Sequence, residues 1–221
     1  MRYFSLELEE LNQKLLQMGA MVESSIHRAV RSLVEENEDL AREVLRDEVT
    51  INHMEMEIDG IATRLLALRQ PVARDLRRLT AALKINTDLE RIGDLAEHIA
   101  KRALTVMHHP LVKTLPDIPK MESLVRSMLH KCLDAFVHGD ADLARSVLLS
   151  DEEVNGLRDA AYGELLEAMR RDPALVPPAI TLIFIARNLE RIGDHATNIA
   201  EDVVFLVKGI DVRHHARQIE A

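Results

Sequence analysis

Apolar residues recur along this chain at alternating steps of three and four, interrupted by a few short breaks. Leu8, Leu11, Leu15, Met18, Val22, Ser25 and Ala29 form a heptad-like seam, which predicts a first helix from about Phe4 to Glu36. Asn37 to Asp39 make a turn. Val44, Ile51, Met54, Ile58, Ile61, Leu65 and Leu68 then mark a second helix from near Asp39. Gln70-Pro71 stops it, because proline has no N–H to donate and restrains the residue before it. Pro71 can itself sit in the first turn of a third helix, which runs to about Met107. After a Pro-containing stretch from His108 to Pro119 the period restarts. Met121, Val125, Met128, Cys132 and Ala135 predict a fourth helix, with His138-Gly139-Asp140 as a glycine stop and an aspartate cap. Leu143, Val147, Val154, Leu157, Ala161, Leu165 and Ala168 predict a fifth, broken at Asp172-Pro173. The sixth runs from near Pro177 to about Val207 and ends at Gly209.

One phrase in this pattern occurs twice. Residues 89–94 and 189–194 both read LERIGD, and Ala96, Ile99 and Ala100 return as Ala196, Ile199 and Ala200. The repeat is deeper than that phrase. Asp39-Leu40-Ala41-Arg42 returns as Asp142-Leu143-Ala144-Arg145, a shift of 103 residues against 100 at LERIGD. The difference falls in the break between the second and third helix of each unit, where length changes are tolerated. Each half is therefore helix–helix–helix. The expected fold is all-α: two repeated three-helix bundles packed side by side and related by an internal pseudo-twofold. The boundaries that follow are 1–109 for the first repeat, 110–119 for a linker, 120–210 for the second repeat and 211–221 for a tail that includes His214 and His215.

Composition supports this and narrows the function. Apolar residues are 47% of the 221, yet only 2 are Tyr, 4 are Phe and none is Trp, so the core must be aliphatic, as in a helix bundle. The net charge is −9 and is shared evenly, with 15 basic and 19 acidic side chains in residues 1–110 and 13 and 18 in the rest. That balance argues against a nucleic-acid partner, which calls for a basic face. The single cysteine, Cys132, lies on an apolar seam and suits a reducing compartment. Met1 leads straight into an amphipathic pattern, and the longest apolar run, near Ala179 to Ala186, is too short to span a bilayer. A cytoplasmic protein is expected, meeting a membrane only peripherally.

The acids of the doubled phrase carry the candidate chemistry. Glu90 and Asp94, and again Glu190 and Asp194, stand one helical turn apart beside the apolar stripe. The same stepping reaches His98 on the third helix and Asn198 and Asp202 on the sixth. Glu48 and Asn52 on the second helix correspond to Asp151 and Asn155 on the fifth. All but His98 are oxygen ligands. Hard cations want several oxygens converging at about 2.0–2.6 Å, and iron, manganese and zinc accept a histidine as well. A divalent or trivalent metal ion (iron, zinc, manganese or magnesium) is thus the expected cofactor, with Glu90, Asp94, His98, Glu190, Asp194, Asn198, Glu48, Asp151 and Asp202 as candidate ligands. The competing reading is an ordinary polar face on which Arg91, Arg191 or solvent answers each acid. Gly93 and Gly193 inside the helices point to close approach of a neighbouring helix beside the acids, with or without metal, since glycine there costs roughly 1 kcal/mol against alanine.

Enzyme chemistry has little footing. There is no glycine-rich phosphate loop, no nucleophile motif and no Cys-x-x-Cys. A di-iron carboxylate enzyme on a helix bundle would use Glu-x-x-His, which occurs nowhere in the chain. A metal-free helical scaffold remains open as an alternative. His27, His53 and His130 stand alone and read as ordinary surface or core residues.

The doubled LERIGD resembles the PhoU family of phosphate-uptake regulators. So do Gln70-Pro71-Val72-Ala73-Arg74-Asp75-Leu76-Arg77-Arg78 before the first copy and Asp194-His195-Ala196-Thr197-Asn198-Ile199-Ala200-Glu201 in the second. The resemblance covers nearly the whole chain. It implies a two-repeat all-α fold with an acid-x-x-x-acid metal motif in each repeat, matched here by Glu90 with Asp94 and Glu190 with Asp194. It further implies a cytoplasmic, dimeric regulator beside the phosphate-specific ABC transporter ATPase and a phosphate-sensing histidine kinase, damping both phosphate import and the starvation response.

Overall fold

In a computed structural model the chain is described over residues 2–114, 117–210 and 212. The expected tail, with His214 and His215, lies almost wholly outside the described residues, as does Pro116 of the linker. Among the described residues the elements are α1 (Arg2–Val34), α2 (Glu38–Arg69), α3 (Ala73–Val106), α4 (Asp117–His138), α5 (Ala141–Arg171) and α6 (Val176–Lys208), with 3₁₀ turns at Pro110–Thr114 and Pro173–Leu175.

The breaks form for local reasons. Asn37 caps α2, its side chain accepting from the N–H groups of Asp39 and Leu40 at 3.0 and 3.4 Å. Gln70 closes α2 in the left-handed region, φ 46°, donating its N–H to Leu66. Gly139 (φ 66°) ends α4, and Asp140 caps α5 by accepting from Asp142 and Leu143. Gly209 (φ 70°) ends α6. Two expectations shift. Pro71 lies in the break before Val72, which caps α3, and not in the helix itself. The fourth helix begins at Asp117, inside the stretch expected as linker, because Pro119 occupies a first-turn position where no intrahelical N–H is lost.

The apolar stripes become the core. Leu89, Ile92, Ala96 and Ile99, and their counterparts Leu189, Ile192, Ala196 and Ile199, are all fully buried. So are Leu11, Leu15, Met18, Val22 and Ala29 of α1 and Met121, Val125, Cys132 and Ala135 of α4. Burial raises the Cys132 thiol far above its ordinary value. Leu68 departs from the stripe expected of α2; it is 69% exposed at the helix end, past the packed seam.

In each repeat three helices pack on one another, α1–α2–α3 and α4–α5–α6. The repeats join through α3 on α6 and α1 on α4, leaving α2 and α5 on the outer flanks. The α3–α6 seam is antiparallel and pseudo-twofold. Lys84 of α3 meets Asp202 of α6 at 2.7 Å, and Arg102 of α3 lies 4.3 Å from the ring centre of Phe184 of α6. Lys84 corresponds to Phe184 and Arg102 to Asp202 under the 100-residue shift, so one contact is the other's mate with different chemistry.

Candidate functional site

The two acid pairs face the outer helices of their own repeats. The approach is set by glycine. A Cβ placed on Gly93 would stand 3.1 and 3.3 Å from Cγ2 and Cδ1 of Ile51 on α2, tighter than ordinary contact. Ile51 is fully packed and lies between Glu48 and Glu55, one turn to either side. Bringing Gly93 against Ile51 therefore brings α2's acids up to Glu90 and Asp94 of α3. In the second repeat the approach is looser. A Cβ on Gly193 would meet Val154 and Val125 no closer than 3.6 Å.

In the first repeat the result is a set of mutually repelling carboxylates. Glu90 is pushed above its ordinary range, first by burial and then by the charge of Asp94; Arg91 opposes, and Glu55 and Glu48 add. Arg91 answers only from the exposed side, at 3.5 Å from Glu90 and 3.9 Å from Asp94. Asn52 donates to the Glu48 carboxylate, leaving its own buried Oδ1 with no hydrogen-bond partner. One turn before Glu90, fully buried Asn86 donates to the Glu55 carbonyl oxygen at 2.9 Å, and its Oδ1 is likewise unpartnered.

The second repeat has the same frame with one cation built in. Asn155 donates to Asp151 at 2.9 Å. Arg158, one turn further along α5, donates through Nη1 to Glu190 at 2.6 Å and to Asn155 Oδ1 at 3.0 Å. Its remaining nitrogens go to Asp159 at 2.9 and 3.0 Å. Asp194 is pushed up to about 6, by burial and then by Glu190 and Asp151, against the opposing charges of His195 and Arg158. The buried Oδ1 of Asp151 has no partner.

The structure thus groups Glu48, Glu90 and Asp94 in one repeat and Asp151, Glu190 and Asp194 in the other. It does not group all nine candidates. Asp202, buried, pairs with Lys84 across the repeat seam, and Asn198 turns toward Asp88 of α3 at 3.4 Å. His98 is exposed and is not among the groups acting on Glu90. The reason is geometric: a step of four advances 400° at 3.6 residues per turn, so each step drifts about 40° and three steps leave the face. Sequence reasoning missed Glu55 and Arg158, which correspond to each other under the 103-residue shift. It also missed the pair His195 and Asp88, 2.8 Å apart across α3 and α6. Two of the isolated histidines have partners within the fold: His27 of α1 meets Glu122 of α4 at 3.0 Å, and His53 bonds the Val49 carbonyl oxygen at 2.7 Å.

The first face suits a hard cation. It offers carboxylate and amide oxygens from two helices, two of the amide oxygens are orphaned, and Glu90 resists ionisation without a counter-charge. Among the described residues no three His, Cys, Asp or Glu side chains already stand as a closed ligand group. On the second face Arg158 already engages Glu190 and the amide oxygen of Asn155, leaving Asp194 and the unpartnered Oδ1 of Asp151 outside its hydrogen bonds.

Comparison with known proteins decides the lineage. The PhoU domain matches twice, over residues 15–103 and 118–203. The chain belongs to the PhoU domain family. A phosphate-specific transport system accessory protein PhoU homolog of Pseudomonas aeruginosa is 42% identical over 96% of this chain and 88% of that protein. The accessory protein PhoU of Escherichia coli is 37% identical over the same shares. The PhoU crystal structure from P. aeruginosa superposes with a TM-score of 0.86 at 40% identity, covering 94% of this chain and all of that one. The phosphate transport system regulatory protein PhoU from Streptococcus pneumoniae gives 0.87 at 31% identity, over 95% of this chain and 99% of that one. These relatives are named as accessory and regulatory proteins, not enzymes, in agreement with the non-enzymatic reading. Among the described residues no helix is long and apolar enough to cross a membrane.

Proposed function

We propose that this PhoU-family chain is a non-catalytic accessory protein of a phosphate-specific transport system, regulating phosphate uptake through cation-dependent binding. One observation carries the accessory role: likeness over 96% of the chain to proteins that bear that name. The acid faces carry the cation dependence. Glu90 and Asp94 of α3 with Glu48 and Glu55 of α2 would hold a divalent or trivalent metal ion. When bound, such an ion supplies the positive charge these carboxylates lack.

The chain's own residues do the rest. Like charges at 4 Å repel by about 4 kcal/mol at an effective dielectric near 20. Glu48 and Glu55 therefore push α2 from α3 when uncompensated and let it settle when compensated. The outer face of α2 is then the surface whose position follows cation supply. In this reading the protein acts in the cytoplasm as a homodimer. Its partners are the transporter ATPase and a phosphate-sensing histidine kinase, and it damps both import and starvation signalling.

The test is co-purification of the chain with the transporter ATPase and with the kinase, in the presence of Mn²⁺ and after chelation. Capture of either partner that falls on chelation, and falls equally in Asp94→Asn with Mn²⁺ present, is expected. Capture of neither partner under any metal condition refutes the regulatory role, and capture indifferent to both chelator and Asp94→Asn refutes the cation dependence.

A further inference from the structure

The two repeats share a backbone and a set of acids, yet one position inverts its charge between them. Counting by the 103-residue shift, Glu48 becomes Asp151, Asn52 becomes Asn155 and Glu55 becomes Arg158. Two contacts differ between the faces because of the third substitution. In the first repeat the buried Oδ1 of Asn52 has no partner. In the second the equivalent Oδ1 of Asn155 accepts from Arg158 at 3.0 Å. In the first repeat, among the described residues, the cation nearest Glu90 is exposed Arg91 on its own helix, at 3.5 Å. In the second Glu190 meets the Arg158 guanidinium at 2.6 Å, from the facing helix, with both side chains about four-fifths covered.

We infer that Arg158 is a built-in cation of the second acidic face, taking the place of a metal ion there, so that exchangeable metal is bound by the first repeat alone. This rests on the cation-binding reading of the first face given above. A guanidinium is suited to the role. It stays charged at all physiological pH, and its Nη1 alone donates to two oxygen acceptors, the carboxylate of Glu190 and the amide of Asn155, while Nε and Nη2 serve Asp159. It also takes up two of the face's oxygens: the amide oxygen that is orphaned at Asn52 in repeat one is bonded at Asn155 in repeat two, and Glu190 is paired with the guanidinium, while Oδ1 of Asp151 stays unpartnered. Asp159 holds the opposite edge of the guanidinium at 2.9 and 3.0 Å, which fixes it over Glu190. The duplicated fold thereby carries one face that answers to cation supply and one that is permanently clamped. The flank formed by α2 is free to respond while α5 is held.

Mn²⁺ binding to the full-length, tag-free protein tests this, read by equilibrium dialysis with metal analysis and by the loss of the free Mn²⁺ electron paramagnetic resonance signal. Asp94→Asn is expected to weaken Mn²⁺ binding by at least about tenfold, since even indirect ligand partners count for that much. Asp194→Asn in the otherwise unchanged protein is expected to leave uptake the same. Arg158→Glu, which gives the second face the residue of the first, is expected to add a second set of bound Mn²⁺ that Asp194→Asn then removes. Arg158→Gln, a milder change, guards against misfolding and is expected to move uptake in the same direction, with native helicity by circular dichroism. Equal loss of Mn²⁺ from Asp94→Asn and Asp194→Asn overturns the inference while sparing the cation-binding reading. Uptake unchanged by Arg158→Glu in a folded protein also overturns it. No Mn²⁺ bound by the parent protein, or uptake indifferent to Asp94→Asn, overturns both.

Discussion

Alanine at Gly93 and alanine at Gly193 are the same substitution in the same six-residue phrase, and only the second is expected to stabilise. In a helix interior, glycine to alanine is worth about 1 kcal/mol through backbone entropy alone. At Gly193 that gain is kept, because the new methyl meets Val154 and Val125 at 3.6–3.8 Å, ordinary contact. Gly193→Ala should therefore stabilise by about 1 kcal/mol, or roughly 2–4 °C in Tm for a chain of this size. At Gly93 the methyl meets Ile51 at 3.1 and 3.3 Å. Ile51 is 1% exposed and has nowhere to retreat. Overpacking of this kind costs about 1–3 kcal/mol, so Gly93→Ala should range from neutral to about 2 kcal/mol destabilising, net of the helix gain. Urea denaturation followed by far-ultraviolet circular dichroism is the assay, as the chain has no tryptophan to report by fluorescence. Ile51→Val removes the δ-methyl at 3.3 Å. In its background Gly93→Ala should cost at least about 0.5 kcal/mol less than in the parent, a coupling a double-mutant cycle resolves. Gly93→Ala as stabilising as Gly193→Ala, with an additive cycle, would refute the claim that glycine sets the α2–α3 approach.

Other expectations follow from single contacts. Asp194, raised to about 6 from an ordinary 3.8, binds more protons folded than unfolded between those pH values. Its contribution to stability is therefore greatest below about pH 4 and is lost as pH rises through about 6; in metal-free protein, Asp194→Asn should raise Tm more at pH 7.5 than at pH 4, measured by calorimetry with chelator present. Asp88→Ala should cost about 0.5–1.5 kcal/mol by breaking the 2.8 Å bond to His195 across the repeats, and a cycle with His195→Ala should show the two losses are not additive. Asn37→Ala and Asp140→Ala each remove a side chain that accepts two helix-start N–H groups, and each should lower urea stability by about 1 kcal/mol. A cap that proves dispensable would show that tertiary packing alone fixes that helix start.

What the sequence determined by itself is what repeats locally. Steps of three and four put Leu89, Ile92, Ala96 and Ile99 on one face wherever that helix went, and their burial followed. Asn37, Gly139, Asp140 and Gly209 act through bonds to their own neighbours, so the breaks were legible without a fold. The duplication was legible too, since LERIGD is spelled out twice. Which acids meet was not. Asp202 and Asn198 were drawn onto the site by steps of four, but each step drifts about 40° around the helix, and the drift carried them into the α3–α6 seam to meet Lys84 and Asp88. Glu55 and Arg158 lie outside the doubled phrase, on helices whose rotation about their own axes no local period reports. Tertiary packing set that rotation, with Ile51 against Gly93 and Val154 against Gly193. It placed an acid before one carboxylate pair and a guanidinium before the other. Short-range bonds decide where helices start and stop, whereas the charge a face meets depends on which side chains a neighbouring helix turns toward it, and that is decided by close packing between residues distant in the chain.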